Sequence, residues 1–184
     1  MLIMTIKDGL LCKKEITNSL SKDSIELLSK IEIKEQTNST NDDAKESLKN
    51  SSHLLSAHFA EQQSAGRGRN SRKWISPFGQ NIYLSLAWQS NLSFADIEGL
   101  SLAIGVEIAE SLETNTDEVI EIKWPNDLLV NQKKLGGILI ETSGGKKDSL
   151  EIIIGIGINV FMKNEDAIKI DQDWTSLENY KNRS

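Results

Sequence analysis

Four cationic side chains and two glycines fall within nine residues of this chain, in the segment GRGRNSRKW at 66–74. Arginine side chains offer forked donors that suit phosphate or carboxylate oxygens, and glycines let backbone N–H groups approach a ligand closely. The segment therefore predicts a surface loop that binds a small anion. A solvated basic loop or a nucleic-acid patch is the alternative. Without a ligand, the like charges should repel one another and leave the loop mobile.

A second group of polar residues stands at a predicted turn, in KWPND at 123–127. Pro125 follows a strand-like run and forces a turn, so Asn126 and Asp127 should lie at the end of that strand. Functional side chains often occupy such positions. A tight turn with an Asx hydrogen bond is the ordinary alternative.

Two glycine pairs accompany these groups. In KKLGGILIE at 133–141, Lys134 places a long cationic arm beside exposed backbone, although a hairpin with solvated lysines is the ordinary explanation. In GIGIN at 155–159, the spacing is similar to the start of a dinucleotide fingerprint, but Val160 occupies the third glycine position and no helical pattern follows. We reject that fingerprint, and interpret these glycines as a strand that another group approaches closely.

The elements that position these residues can be read from hydrophobic spacing. Thr40 and Asp43 predict a helix start with Thr40 as the cap, and Ser93 with Asp96 predicts a second helix that opens with a capping box. Apolar residues then repeat at helical spacing through Ile108. Short strands are predicted at 31–34, 54–59, 82–88, 119–124, 128–130, 135–141 and 150–155. Strands joined by tight turns predict an α+β fold with an antiparallel or mixed sheet and helices on one face.

The composition of the chain argues against several classes of protein. The chain has 184 residues, a net charge of −6 and a mean hydropathy of −0.35, without an apolar run near the ~20 residues of a membrane span. The acidic balance argues against a general nucleic-acid coat. One cysteine and two histidines make a disulfide scaffold and a Cys/His zinc site improbable. No secretory signal is visible, so a cytoplasmic location is expected.

Together, these motifs resemble those of the biotin protein ligase family. The shared segments, in matching order and spacing over about residues 33–180, are STN at 39–41, 63–74, SPFG at 76–79, KWPND, KLGG at 134–137 and GIGIN. The resemblance implies a class II aminoacyl-tRNA synthetase-like fold, with a mixed, mostly antiparallel sheet backed by helices. It also implies an enzyme that joins biotin to ATP, holds biotinoyl-5′-AMP and passes biotin to a lysine of a biotin carboxyl carrier protein, with Mg²⁺ on the phosphates.

The resemblance assigns roles residue by residue. The residues implied to hold biotin are Ser39, Thr40, Gln63, Gly66, Arg67, Lys134, Gly137 and Gly155. Those implied to hold ATP or the adenylate are Arg69, Arg72, Trp74, Asn126, Asn159 and Trp174. The catalytic set is Lys134, Arg67, Arg69 and Asp127, with Lys134 bridging the biotin carboxylate and the phosphate. A base or metal role is a further hypothesis for Asp127, and no metal ligands are assigned.

The resemblance also sets expectations for domains and partners. Residues 1–32 are expected to form a short appendage and residues 33–184 the catalytic domain, without the DNA-binding module and the C-terminal SH3-like barrel of other members. We therefore expect a monofunctional ligase that binds neither DNA nor membranes, and a homodimer is compatible with the family. The alternatives are a lipoate-type ligase and a protein that binds biotin or its adenylate with impaired transfer.

Overall fold

Seven strands form one sheet in the computed structural model, which describes residues 6–7, 10–50, 55–144, 149–167 and 170–180. The strands are β3 (Leu28–Thr37), β4 (Leu55–Gln63), β5 (Asn81–Ser90), β6 (Glu121–Lys123), β7 (Asp127–Val130), β8 (Lys133–Gly144) and β9 (Leu150–Asn159). Their order across the sheet is β3-β4-β5-β9-β8-β7-β6. Two short strands, β1 (Ile6–Lys7) and β2 (Leu10–Leu11), pair separately, and Leu54 of the predicted second strand lies outside the described residues.

The sheet is mixed but mostly antiparallel, and this confirms the predicted α+β class. Within the described part, β3 and β4 are parallel and the other neighbours are antiparallel. The helices are α1 (Lys13–Ser19), α2 (Lys22–Leu27), α3 (Thr40–Asn50) and α4 (Leu100–Glu113). The parallel pair requires a crossover connection, and α3 lies within it.

The two faces of the sheet differ in composition, because successive side chains on a strand point to opposite faces. On the apolar face, Leu84 and Leu86 of β5 join a core that α1 and α4 cover. On the other face, here called the site face, Ser85 is paired with Gly155. The helix α3 packs on this second face, where Leu48 contacts Ile153 and Ala87. The expectation of helices on one face is therefore wrong for α3.

The N-terminal segment is joined to the sheet. Strand β3 crosses the predicted boundary between residues 32 and 33, and Ile16 of α1 is only 3% exposed. Its side chain packs against Ala57 and Phe59 of β4. Residues 10–32 thus contribute to the core of the same sheet.

Two predicted helix starts are corrected by the structure. The Ser93 backbone N–H and hydroxyl both donate to the Asp96 carboxylate, but Asp96 lies in a short 3₁₀ turn at Ala95–Ile97. Gly99, with φ 82°, separates that turn from α4, so Ser93 does not begin the long helix. Thr40 is the first residue of α3 rather than its cap, and its side chain is turned towards Gln63.

None of the helices in the described part is long and apolar enough to cross a membrane.

A buried carboxyl group on β4 gives a pH-dependent stability. Glu61 is 5% exposed, and its Oε1 accepts a 2.6 Å hydrogen bond from the Leu11 backbone N–H. Burial raises the pKa of Glu61 above its ordinary value. The folded state therefore holds the proton of Glu61 more tightly than the unfolded chain does. Protonated Glu61 adds to the free energy of unfolding at low pH, and this addition is lost as the pH rises through the raised pKa.

We expect Glu61→Gln to be more stable than the wild type at neutral pH, since its amide oxygen can accept the same bond without a buried charge. The advantage should shrink as the pH falls towards about 4, where the carboxyl group is protonated. Urea unfolding of both proteins across this range measures the effect. Parallel curves of unfolding free energy against pH would contradict it.

Candidate active site

A cleft of about 920 Å³ opens on the site face of the sheet. Its floor consists of β8 and β9, where Gly137 is paired with Gly157 and Leu139 with Gly155. The start of α3 and the 66–74 segment border the same cleft. Because three residues of the floor lack side chains, neighbouring groups can approach the backbone of the sheet closely.

The end of the cleft nearest α3 carries a network of buried polar groups. The Gln63 Oε1 accepts hydrogen bonds from the Thr40 N–H at 2.9 Å and the Thr40 hydroxyl at 3.1 Å. The Gln63 Nε2 donates to the Ser76 hydroxyl at 3.2 Å. The Ser85 hydroxyl lies 2.7 Å from Thr40 Oγ1 and 2.6 Å from Asn41 Oδ1. These contacts fix the amide and hydroxyl groups in definite orientations before any ligand arrives.

Two floor glycines are required by close neighbours. A Cβ atom at Gly155 would lie 2.4 Å from Asn41 Oδ1, and a Cβ atom at Gly157 would lie 2.6 Å from the Trp74 ring. Both distances are far below a van der Waals contact. The absence of side chains at these positions therefore lets α3 and Trp74 sit directly on the sheet.

The 66–74 segment is closed by backbone hydrogen bonds. The Trp74 N–H donates to the Gly66 carbonyl at 2.9 Å, and the Gly68 N–H donates to the Arg72 carbonyl at 2.7 Å. Asn70 and Ser71 make the turn with φ values of 54° and 58°. The sequence suggested a self-repelling loop, whereas the structure shows a hairpin-like turn held at its base.

Arg67 is paired with two carboxylates. Its guanidinium donates to both oxygens of Asp42, at 2.8 and 2.7 Å, and lies 3.5 Å from Glu141 Oε2. The guanidinium lowers the pKa of the Asp42 carboxyl, and Asp42 in turn raises the pKa of Arg67. Most of the positive charge of Arg67 is thus compensated within the protein.

Lys134 reaches into the cleft from the start of β8. Its Nζ lies 2.8 Å from Asp127 Oδ1 and 5.5 Å from the centre of the Trp74 ring. Asp127 is the last residue of KWPND and the first of β7, so it lies at the start of the next strand, opposite Lys123 at the end of β6, and not at the end of β6 itself. Asn126 fixes the turn itself, since its side chain donates to the Ile138 carbonyl at 2.9 Å.

A later segment closes the side of the cleft beside Lys134. The Lys134 N–H donates to the Asp173 carbonyl at 3.0 Å, and the Thr175 N–H donates to the Lys134 carbonyl at 2.9 Å. The buried Asn159 side chain donates to the Thr175 carbonyl at 3.0 Å. These three bonds hold Trp174 at the cleft wall.

Several cations of the cleft remain uncompensated. Within the described residues, the cleft-lining side chains that form no ion pair are those of Arg69, Arg72, Lys73 and Lys123. This concentration of positive charge in an acidic protein suits a ligand that carries phosphate groups. The described part of the chain contains no group of three side chains suited to hold a metal ion.

The structure brings almost all of the predicted site residues together. Those that line the cleft are Ser39, Thr40, Gln63, Arg67, Arg69, Arg72, Trp74, Asn126, Asp127, Lys134, Gly137, Gly155, Asn159 and Trp174. Gly66 does not line the cleft, and its role in holding biotin stays a prediction. It is buried beneath the loop, where a Cβ atom would lie 2.7 Å from the Trp74 carbonyl and 2.8 Å from the Ser76 hydroxyl.

Sequence reasoning missed the carboxylates that pair with Arg67 and the hydroxyl of Ser85. Glu141 follows Gly137 and Leu139 at alternate positions of one strand, so period-two spacing could have placed it on the site face. Ser85 is a polar residue in an apolar strand, which is another available signal. The role of Asp42 had no comparable signal, because it depends on where the 66–74 loop folds.

Comparison with known proteins agrees with this geometry. Residues 33–159 match the model of the biotin/lipoate A/B protein ligase family. The bifunctional ligase/repressor BirA of Escherichia coli is 45% identical over 122 residues, which are 66% of this chain and 38% of that protein. The biotin–[acetyl-CoA-carboxylase] ligase of Paracoccus denitrificans is 36% identical over 103 residues, or 55% of this chain and 43% of that protein.

Solved structures show the same fold. The Leishmania major biotin protein ligase in complex with biotinyl-5-AMP superposes with a TM-score of 0.64 at 29% identity, covering 82% of this chain and 64% of that one. The Aquifex aeolicus biotin protein ligase in complex with biotin and ATP gives a TM-score of 0.60 at 33% identity, covering 83% of this chain and 60% of that one.

The matched part of this chain spans less than half the length of the Escherichia coli and Paracoccus denitrificans relatives. The chain belongs to the biotin/lipoate A/B protein ligase family.

Proposed function

We propose that this chain is a biotin protein ligase: it activates biotin with ATP as biotinoyl-5′-AMP and transfers biotin to a lysine of a biotin carboxyl carrier protein. One observation carries the proposal. A single cleft joins a buried, oriented polar pocket to a group of cations that have no carboxylate partner in the described structure. The two ends of this cleft suit a substrate that has a polar head, an apolar body and a carboxylate that must react with a phosphate.

The polar pocket suits the ureido group of biotin. A buried ureido group needs partners for its carbonyl and N–H groups, since each unmet hydrogen bond costs about 1–3 kcal/mol. The Ser39, Thr40 and Gln63 side chains offer donors and acceptors there, and Gly155 lines the same pocket. The ring of Trp74 beside Gly157 gives the apolar surface against which the rest of biotin packs.

The cationic end suits the first half-reaction. The biotin carboxylate attacks the α-phosphorus of ATP, the bond to the β-phosphate oxygen breaks, and pyrophosphate leaves. Bringing two anions together is unfavourable unless fixed positive charge offsets their repulsion. We assign the bridging position to Lys134 and the phosphate contacts to Arg69 and Arg72, with Trp174 stacking on the adenine.

The second half-reaction uses the mouth of the cleft. The uncharged amine of the carrier lysine attacks the acyl carbon, its proton is lost to a base, and AMP leaves. Asn126 and Asp127 stand at the KWPND turn in position to orient the adenylate and the incoming lysine. Asn159 acts through Thr175 to hold the wall that carries Trp174.

Magnesium is expected to enter with the nucleotide. Mg²⁺ usually keeps several waters and binds through substrate phosphates with one or two carboxylates. The cleft offers separate carboxylates such as Asp127 and Asp171, which fits that mode of binding. When bound, the ion would neutralise phosphate charge, while the protein side chains position biotin and exclude water.

Relatives support the choice of biotin. The Aquifex aeolicus ligase is described with biotin and ATP, and the Leishmania major ligase with biotinyl-5-AMP. The Paracoccus denitrificans relative is named for acetyl-CoA carboxylase, whose carrier domain is the acceptor proposed here. The family also includes lipoate ligases, so lipoate is the competing substrate.

The proposal is tested by incubating the protein with biotin, ATP, Mg²⁺ and a carrier domain, and probing for biotinylated lysine by mass spectrometry. Biotin transfer, with lipoate giving none, is expected. Adenylate without transfer would favour a protein that only binds or retains biotinoyl-5′-AMP. If neither product formed, the proposed function would be wrong.

The 66–74 loop is expected to protect the adenylate, because it covers a mixed anhydride that water hydrolyses readily. Arg67→Ala removes the side chain that ties the loop to α3 and Glu141. We expect this variant to lose biotinoyl-5′-AMP about five- to tenfold faster than the wild type, in line with a hydrogen-bonded charge pair. A single-turnover assay of retained adenylate measures this, and equal retention would refute it.

A further inference from the structure

The pairing of Arg67 with Asp42 has the geometry of a fork. Each terminal nitrogen of the guanidinium donates to a different carboxylate oxygen, at 2.8 and 2.7 Å. Asp42 lies in the first turn of α3, where the helix dipole favours a negative charge. Its position is also fixed by the backbone, because the Asp42 N–H donates to the Ser39 carbonyl at 3.0 Å. The backbone of Asp42 is therefore fixed by the start of α3, and this sets where its carboxylate meets Arg67.

Arg67 occupies the base of the 66–74 loop. It forms an isolated β-bridge with Lys73, so the two sides of the loop meet at this residue. The Gly68–Arg72 hydrogen bond follows on the side of the loop tip, and the Trp74–Gly66 hydrogen bond lies on the other side of this bridge. A tether on the Arg67 side chain thus fixes the loop as a unit relative to α3.

The charge balance separates Arg67 from the other loop cations. Asp42 and Glu141 both face its guanidinium, whereas Arg69 and Arg72 form no ion pair within the described residues. A small anion entering the cleft meets these uncompensated charges and a guanidinium that is already occupied. Arg67 consequently has the contacts of a structural tether and not those of an open anion receptor.

We propose that Asp42 is a positioning residue that holds the 66–74 loop over the cleft through Arg67, so that the loop is placed before substrate binds. The proposal rests on the proposed function for its consequence, the retention of the adenylate. It goes beyond that function by giving the loop residues two different roles. Arg67, with Asp42, tethers the loop, whereas Arg69 and Arg72 contact the anionic substrate.

The kinetic test measures the loss of biotinoyl-5′-AMP from Asp42→Asn. Both partners of the pair are partly exposed, so solvent screening limits the effect to about a three- to fivefold faster loss. Asp42→Glu should recover most of the retention. The double variant Asp42→Asn/Arg67→Ala should lose the adenylate no faster than Arg67→Ala, because both changes break the same contact. Additive losses in the double variant would overturn the proposal.

Asp43→Asn is the matched control. It removes one negative charge from the same turn of α3, but Asp43 pairs with Lys34 of β3 at 2.8 Å and not with the loop. Its adenylate retention should equal that of the wild type. A loss as large as that of Asp42→Asn would mean that charge at the helix start, and not the tether, controls retention.

A ligand-free measurement separates this proposal from the proposed function. Amide hydrogen exchange of Gly68 and Trp74 should be about three- to fivefold faster in Asp42→Asn than in the wild type, without biotin or ATP. If the wild type formed no adenylate, the proposed function would fail while this measurement still decided the tether. Unchanged exchange at both amides would overturn the role of Asp42.

Discussion

Replacing Lys134 with alanine is expected to slow adenylate formation by about 10²- to 10³-fold, the usual cost of removing one preorganised group that stabilises transition-state charge. The Lys134 ammonium lies 2.8 Å from Asp127 and faces the cleft between the polar pocket and the cationic loop. Its loss removes the cation at the point where the carboxylate and phosphate must meet. It also leaves the Asp127 carboxylate without its partner, and that charge would then repel the phosphates.

The effect should be confined to chemistry. The segment that carries Trp174 is held by the backbone N–H and carbonyl of Lys134, and both remain in the alanine variant. Single-turnover formation of biotinoyl-5′-AMP measures the loss, and thermal unfolding checks the fold. Lys133→Ala is the matched control, because Lys133 is exposed and does not line the main cleft. Adenylate formation by Lys134→Ala within threefold of the wild type would contradict the assigned role.

A methyl group at Gly155 is expected to weaken biotin binding by at least about tenfold. The added Cβ atom would lie 2.4 Å from Asn41 Oδ1 and 3.1 Å from both Asn41 Cγ and Nδ2. That amide is held by Ser85 and by Glu141, whose Oε2 accepts its hydrogen bond at 2.7 Å. The start of α3 must therefore move, and the orientations of Thr40 and Gln63 move with it. Misaligned hydrogen-bonding groups reduce the binding free energy of biotin by about 1.4 kcal/mol or more, which corresponds to the expected tenfold rise in Kd.

Isothermal titration with biotin measures the change for Gly155→Ala. Gly144→Ala is its control, since among the described residues no atom lies within 4 Å of a Cβ at Gly144, and this residue is on the same strand as Gly137. The control should bind biotin as the wild type does. Equal affinity in Gly155→Ala and the wild type would mean that the Asn41 network does not set the biotin pocket.

The sequence contained enough information for the fold class and for most of the cleft. Turn residues and alternating apolar runs predicted an α+β sheet, and the KWPND turn placed Asn126 and Asp127 at the cleft as expected. These features depend on local chemistry, in which proline, glycine and hydrophobic spacing act over a few residues. The Gly155 and Gly157 positions were also interpreted correctly as sites of close approach.

The features that could not be predicted depend on long-range packing. The Asp42–Arg67 pair joins residues 25 positions apart, and the Asn41–Glu141 hydrogen bond joins residues 100 positions apart. Hydrophobic period also does not state which face of a sheet a helix will cover, so the placement of α3 opposite α4 was missed. The tight packing of Gly66 against the Trp74 carbonyl and the Ser76 hydroxyl also depends on how the loop folds back.

The proposed reaction of this cleft is the activation of biotin on its carboxylate with ATP. The most direct test is the exchange of labelled pyrophosphate into ATP, measured with the wild type and with biotin, lipoate or no acid added. We predict exchange that requires biotin, that lipoate does not support, and that Lys134→Ala reduces by about 10²-fold or more. Exchange driven by lipoate alone, or no exchange with biotin, would contradict the account.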